Sequence, residues 1–292
     1  MFKIMKILYL KKYMHHKNNN ALMNYKNISY YIIQNENDLD KINLNDFDCV
    51  YSPCTPINVS KYPNTKFIFG PHFSVFPEKK QIDLITSKNV IYTQPSDWVR
   101  DMWKCNPICN NIRIETMPFG VDTNKFNEIH SIEKKNIILI YYKSRKPEEI
   151  DFVLNFLLHF NYKIKIFNYL TKYSEQDYLN CLHNAKFGIW IGRHESQGFA
   201  LEEALSCNVP LLVWDVKSMN QEYGYNYPDI TATSIPYWSE ICGEYFYEKN
   251  DFEKTFNIFI NKLENYRPRE YILNTLTNDI CENKLFNLIN NT

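Results

Sequence analysis

Short apolar runs rich in β-branched and aromatic residues recur along the chain, with polar or helix-patterned stretches between them. Residues 4–10, 28–33, 49–52, 66–70, 90–93 and 112–117 read as strands, as do 136–142, 163–167, 187–191 and 209–213. Several of these runs are continuously apolar, as in sheets covered by helices on both faces. Residues 95–104 fit a helix that Ser96 can cap, with Trp98, Val99 and Met102 on one face. Pro147 opens another, along which Ile150, Val153, Phe156, Leu157 and Phe160 share a face. Ser174 and Asp177 have capping-box spacing ahead of a helix reaching Asn184. Phe252, Phe256, Phe259, Ile260 and Leu263 form a further stripe, broken at Arg267-Pro268, and 272–289 is helical again. The Asn-rich stretch 13–20 reads as a loop. Strands alternating with helices predict an α/β protein with parallel sheets.

The pattern concentrates most between Phe187 and Asp215, which reads strand, loop, helix, turn, strand. Leu201, Ala204 and Leu205 supply the helical stripe, and Gly198 opens the helix. The unpaired amides and positive dipole end there favour an anion. Asn208 stands where a left-handed residue often ends a helix, and Pro210 at a tolerated strand start. Glu195 lies on the loop before the helix and Glu203 in its second turn. Helical side chains lean toward the N-terminus, so Glu203 points back above Phe199 and Ala200. An anion at the amides then has a carboxylate on either flank. Carboxylates bind hydroxyls, and a diphosphate flanked by two polyhydroxyl groups is a nucleotide sugar. The plain alternative is a surface helix with solvated glutamates.

At 292 residues the chain has room for roughly two domains. The charged stretch 128–135 is the natural linker. Lys and Arg total 33, equal to Asp and Glu, so no global field points to nucleic acid or membrane. The eight cysteines lack C-x-x-C spacing, which suggests reduced thiols in a cytoplasmic protein, in the host cytoplasm if the A/T-rich composition is viral. No apolar run approaches the ~20 residues of a membrane span.

The seven glycines form neither G-x-G-x-x-G nor G-x-x-x-x-G-K nor a G-x-S-x-G elbow. Asp38/Asp40 and Asp46/Asp48 match D-x-D, but both precede the third strand rather than a phosphate loop, so no metal site is expected. A leaving diphosphate must then be neutralised by protein cations and a helix end. Lys143, Arg145 and Lys146 follow the 136–142 strand, at the sheet edge where such folds bind ligands. A solvated basic loop is the alternative. His72, after Gly70-Pro71, either faces a cleft or is an ordinary loop histidine. Tyr237-Trp238 and Cys242-Gly243 read as an aromatic loop used in packing.

Glu195-Ser196-Gln197-Gly198, followed by Glu203-Ala204 and Pro210, resembles the E-x-x-G-x-x-x-x-E-A pattern of the retaining group 1 GT-B glycosyltransferases. Pro118-Phe-Gly120-Val-Asp122-Thr-Asn-Lys-Phe126 resembles the same family's P-x-G-V-D-x-x-x-F, and the resemblance is specific across 95–216. It implies two facing Rossmann-like domains, an acceptor-side 1–127 and a nucleotide-sugar-binding 128–270. Residues 271–292 would form a helix crossing back to the first domain. The donor, a UDP- or GDP-sugar, would lie in the cleft between the domains. Glu195 would hold sugar hydroxyls, Glu203 the ribose, and Lys143 and Arg145 the diphosphate. Ser196, Gln197, Gly198, Phe199 and Ala200 would form the donor loop and helix start, with Gly120 and His72 lining the cleft. The acceptor would be a hydroxyl of a glycan, protein or lipid. No cofactor, metal, nucleic acid or integral membrane segment is implied. The chain departs from the family in having no glycine-rich loop after its first strand, in a short first domain, and in Tyr142-Lys143-Ser144-Arg145-Lys146, where the family has a Gly-Arg start and an Arg and Lys five apart. A non-catalytic sugar or nucleotide-sugar binding protein is the competing reading, and a GT-B epimerase or phosphorylase a third.

Overall fold

The structure, a computed structural model, describes residues 4–131 and 135–291, so the linker expected at 128–135 lies partly outside the described residues. The chain divides into two compact units, Met1–Gly120 with Asn278–Thr292, and Val121–Thr277.

In the first unit, β1 (Met5–Leu10), β2 (Ile28–Ile33), β3 (Cys49–Ser52), β4 (Phe67–Phe69), β5 (Val90–Gln94) and β6 (Arg113–Thr116) form one sheet in the order β2-β1-β3-β4-β5-β6. Every pairing is parallel. The inner strands are buried along almost their whole length, as their unbroken apolar runs predict. The edge strand β2 leaves Tyr31 and Ile32 exposed. Helices α1 (His16–Met23), α2 (Lys79–Ile85) and α3 (Asp97–Lys104) connect the strands. Residues 13–20 were expected as a loop. A helix forms instead because Ala21 and Leu22 bury their side chains, and packing supplies what the Asn-rich sequence lacks in periodicity. Ser96 stands at the N-cap of α3 in extended backbone, but its hydroxyl makes no capping bond.

In the second unit, β7 (Ile137–Lys143), β8 (Lys163–Asn168), β9 (Ala185–Gly192), β10 (Leu211–Trp214) and β11 (Gly243–Phe246) are ordered β11-β10-β9-β7-β8, again all parallel. Helices α4 (Pro147–Leu157), α5 (Glu175–Asn184), α6 (Phe199–Ser206), α7 (Phe252–Asn261) and α8 (Pro268–Thr275) complete it. The Ser174 hydroxyl accepts from the Asp177 amide, the expected cap of α5. The core packs Ile138, Ile140, Phe187, Ile189 and Leu212 against Phe252, Phe256 and Phe259 of α7. Two expectations fail here. Cys242-Gly243 is not loop throughout, because Gly243 starts β11 and pairs with Leu211. Residues 272–289 are not one helix. They break at Leu276, whose buried side chain and carbonyl, which accepts from the Val121 amide at 2.9 Å, hold it in place. The last helix, α9 (Asn278–Asn290), belongs to the first unit. Gly120 ends the chain's first pass through that unit where Asn278 approaches it: a Cβ there would lie 2.3 Å from Asn278 Oδ1.

Both sheets reverse their strand order once, between β1 and β3 in the first unit and between β7 and β9 in the second. Doubly wound sheets bind ligands at such a point, beyond the carboxyl ends of the strands.

Candidate functional site

The reversal point of the second unit is lined by charge. Lys143 ends β7 and pairs with Gly192, the last residue of β9. The chain then runs through Arg193, His194 and Glu195 toward α6, and the Arg193 amide donates to the Lys143 carbonyl at 2.9 Å. Lys143 Nζ lies 2.6 Å from Glu195 Oε1, with both side chains largely buried, and 4.1 Å from the centre of the Tyr169 ring. Burial pulls the Lys143 ammonium below its ordinary range even though Glu195 opposes this. Burial pushes the Glu195 carboxyl up, but it faces two cations, Lys143 and Arg193, which together hold it below the usual carboxylate range. A buried ion pair of this kind is weak evidence for stability, and such groups cluster where a fold does chemistry.

Around the pair sits a second layer that the sequence reading did not single out. Arg193 Nε lies 3.1 Å from Glu222 Oε1, and His194 Nε2 lies 3.5 Å from Glu222 Oε2. Burial, with Arg193 beside it, lowers His194 to about 4. Asp215, the residue after β10, is buried and accepts from the Val216 amide, the Ser234 amide and hydroxyl, and the Thr233 hydroxyl at 2.6–3.0 Å. The Thr233 carbonyl in turn accepts from the Glu195 amide at 2.9 Å. Asp215 thus fixes the backbone that fixes Glu195. No local pattern announces this, because Thr233 and Ser234 meet Asp215 only when a long loop closes. Burial pushes the Asp215 carboxyl up against the pull of these donors.

Helix α6 begins at Gly198, whose φ of +91° lies in the left-handed region that favours glycine. Asn208, at φ +57°, ends the turn after the helix. Glu203 is buried and close enough to Tyr173, Tyr178 and Cys207 for its charge to raise all three, after burial itself. The Tyr178 hydroxyl donates to the Ala200 carbonyl at 2.6 Å, tying α5 to the first turn of α6. Gln197 Nε2 donates to Glu202 Oε1 at 2.8 Å, so Gln197 holds a buried carboxylate of the protein itself. Ser196 lies between Glu195 and Gln197 on the same loop.

Arg145 faces the other way. Ser144 adopts φ +48°, and the guanidinium turns inward to Glu149 at 2.7 and 2.9 Å and to the carbonyls of Gly192 and Trp214 at 3.1 and 3.0 Å. It is 2% exposed and bound to protein on each of these sides. It therefore braces the ends of β9 and β10, where the sequence reading had it meeting a diphosphate. Asp122 accepts from the Asn124 and Lys125 amides, bracing a turn. In the first unit, His72 Nε2 lies 3.4 Å from Asn18 Nδ2, and Tyr13 packs edge-on against its ring. Burial, with His15 nearby, lowers His72 to about 4. The two D-x-D pairs serve as surface anchors: Asp40 accepts from the Tyr62 hydroxyl, Asp38 from Lys41, Asp46 from Asn43, and Asp48 from the Lys6 amide. No described helix is long and apolar enough to cross a membrane.

No family model and no curated protein matches the sequence. Among solved structures the chain is similar to the N-terminal domain of Candida albicans trehalose-6-phosphate phosphatase, with a TM-score of 0.62 and 9% identity over 98% of this chain and 96% of that one. It is also similar to sucrose-phosphate synthase from Thermosynechococcus elongatus, with a TM-score of 0.53 and 8% identity over 84% of this chain and 74% of that one. The GtfA/B complex matches with a TM-score of 0.51 and 15% identity over 83% of this chain and 57% of that one. At these identities the likeness is one of fold. The fold is of the GT-B type, with two parallel-sheet, Rossmann-like units.

Proposed function

We propose that the protein moves a glycosyl group from a nucleotide-sugar donor, a UDP- or GDP-sugar, to a hydroxyl acceptor, with retention and without a metal ion. The observation that carries this reading is the Lys143–Glu195 ion pair at the point of strand reversal, beside the start of α6. It puts a cation for phosphate and a carboxylate for hydroxyls within hydrogen-bond distance of each other, at 2.6 Å. An ammonium has three donors, so Lys143 can hold Glu195 and a phosphate oxygen together. The α6 amides at Phe199 and Ala200 would take a second phosphate oxygen, and Glu203 the ribose hydroxyls. Arg193 would add positive charge, while Arg145 positions the strand ends. The names of two similar folds, trehalose-6-phosphate phosphatase and sucrose-phosphate synthase, concern phosphorylated disaccharides and support sugar chemistry in general.

In the proposed step the bond from the anomeric carbon to the leaving phosphate oxygen breaks, and the acceptor oxygen bonds to that carbon from the same face. The acceptor's proton passes to the departing phosphate. Charge grows on the diphosphate as the bond breaks, so Lys143 binds the transition state better than the ground state. The test is incubation with a panel of UDP- and GDP-sugars, with and without EDTA, followed by assay of free nucleoside diphosphate. Release from one donor, unchanged by EDTA, is expected. Binding without release would make the protein a sugar-nucleotide receptor, and abolition by EDTA with rescue by manganese would reject the metal-independent step.

A further inference from the structure

Residues 216–233 leave β10 at Asp215 and return to the same carboxylate through Thr233 and Ser234. The loop is anchored at its middle as well. Glu222 meets Arg193 and His194, and the Tyr223 amide donates to the Ser144 carbonyl at 2.8 Å, beside Lys143. Past these anchors the backbone turns outward at Gly224, and Tyr223 and Tyr225 are 55% and 61% exposed. The Tyr225 ring lies within 11° of parallel to that of Tyr227, with centroids 5.7 Å apart. Tyr227 packs edge-on against His194, the neighbour of Glu195. Across Lys143, the Tyr169 ring is also half exposed.

Several tyrosines are thus held out to water on a loop braced from three sides, at the rim of the ion pair. Tyrosine offers a rigid, amphipathic face at low entropic cost, and exposed aromatic clusters mark binding surfaces. The segment 223–229, Tyr-Gly-Tyr-Asn-Tyr-Pro-Asp, contains no cation. That argues against a polyanion as its ligand. A sugar ring matches it: its C–H face lies on an aromatic ring while its rim hydroxyls reach phenol, amide and carboxylate groups. Asn226 and Asp229, both exposed, supply the last two.

We propose that the Tyr223–Tyr227 segment binds an uncharged glycan, with one sugar ring on the Tyr225/Tyr227 pair. This glycan surface rests on the loop alone and not on the transferase reading. The probe is an array of immobilised neutral gluco-, galacto-, manno- and N-acetylated oligosaccharides. Wild type should be retained on at least one class. Tyr225→Ala/Tyr227→Ala should weaken that retention tenfold or more, and Tyr245→Ala, an exposed tyrosine on β11, should leave it unchanged. Tyr225→Ser alone, at the most exposed of the three positions, serves if the double variant melts early by circular dichroism, and it should also weaken retention. No retention of wild type, or equal retention of the tyrosine variants, overturns the proposal. Nucleoside diphosphate release measured in parallel separates the two readings. Release without glycan retention removes the glycan surface and leaves the transferase; retention without release from any donor does the reverse.

Discussion

The two sheets share a strand order around their reversal points and differ in what they place there. In the first unit, beyond β1 and β3, the Tyr9 hydroxyl meets Met14 Sδ, the Tyr13 amide meets Cys54 Sγ, and the Ser52 hydroxyl donates to the Thr55 carbonyl. Tyr51 and Thr93 likewise donate to backbone carbonyls. All of these are neutral groups satisfying one another. In the second unit the equivalent place holds Lys143, Arg193, Glu195 and Glu222, with Asp215 behind them. Burying a charge costs far more than burying a hydroxyl, even when it is paired. A fold that needed only to close its sheet edge could keep its buried polar groups there neutral, as the first unit does with Ser52, Thr93 and Gln94, leaving Lys11 and Lys12 after β1 outside the buried set. The charged edge is therefore where a functional reading belongs.

The largest expected effect is at Lys143. In a working transfer assay Lys143→Ala should lower turnover about 10²–10³-fold, the scale of losing one preorganised donor, with a smaller change in donor affinity. Arg145→Ala should instead act through stability, because its guanidinium is bound to Glu149, Gly192 and Trp214. Equal turnover in Lys143→Ala and wild type would erase the contrast between the two edges. Next comes Asp215. Removing it strands the Ser234 and Val216 amides and two hydroxyls, so Asp215→Ala should cost about 3 kcal/mol in denaturant unfolding. Thr93→Val, which removes one neutral bond in the first unit, should cost about 1 kcal/mol. Similar costs at the two sites would mean that charge does not set the second edge apart.

Acid should expose the same asymmetry. His194 titrates near 4 in the folded protein against an ordinary value of about 6.5, so the unfolded chain binds the extra proton between those limits. Its contribution is intact above about 6.5 and is lost as pH falls toward 4, up to about 3 kcal/mol at about 1.36 per pH unit. Thermal melts of wild type and His194→Asn across this range should converge as pH falls. His72 is lowered in the same direction, so the variant retains part of the slope; a slope equal to that of wild type would remove His194 from the account.

The smallest of these effects separates two adjacent carboxylates. Glu203→Ala should weaken donor binding roughly ten- to hundredfold, the loss of charge-assisted bonds of about 1.5–3 kcal/mol. Glu202 is buried and bound by Gln197, so Glu202→Ala should lower the melting temperature, with a smaller change in donor affinity among folded molecules. Matching losses of affinity would remove the ribose role from Glu203.

Much of this frame was legible in the sequence. Buried parallel strands are written as unbroken apolar runs, so β7, β9 and β10 stand out, and Ser174 and Asn208 announce the ends of α5 and α6 through local chemistry alone. What escaped depends on contacts distant in sequence. The helix α1 is held by burial rather than by pattern. Lys143 and Arg145 look alike in sequence, and only the left-handed turn at Ser144 sends one to Glu195 and the other inward. Asp215, Arg193 and Glu222 acquire their partners only when the 216–233 loop returns.

The most direct test of the charged edge is a crystal structure with UDP or GDP bound. The diphosphate should lie within hydrogen-bond reach of Lys143 Nζ and the first amides of α6, with the ribose hydroxyls on Glu203. A diphosphate bound elsewhere, with the Lys143–Glu195 pair untouched, would contradict the account.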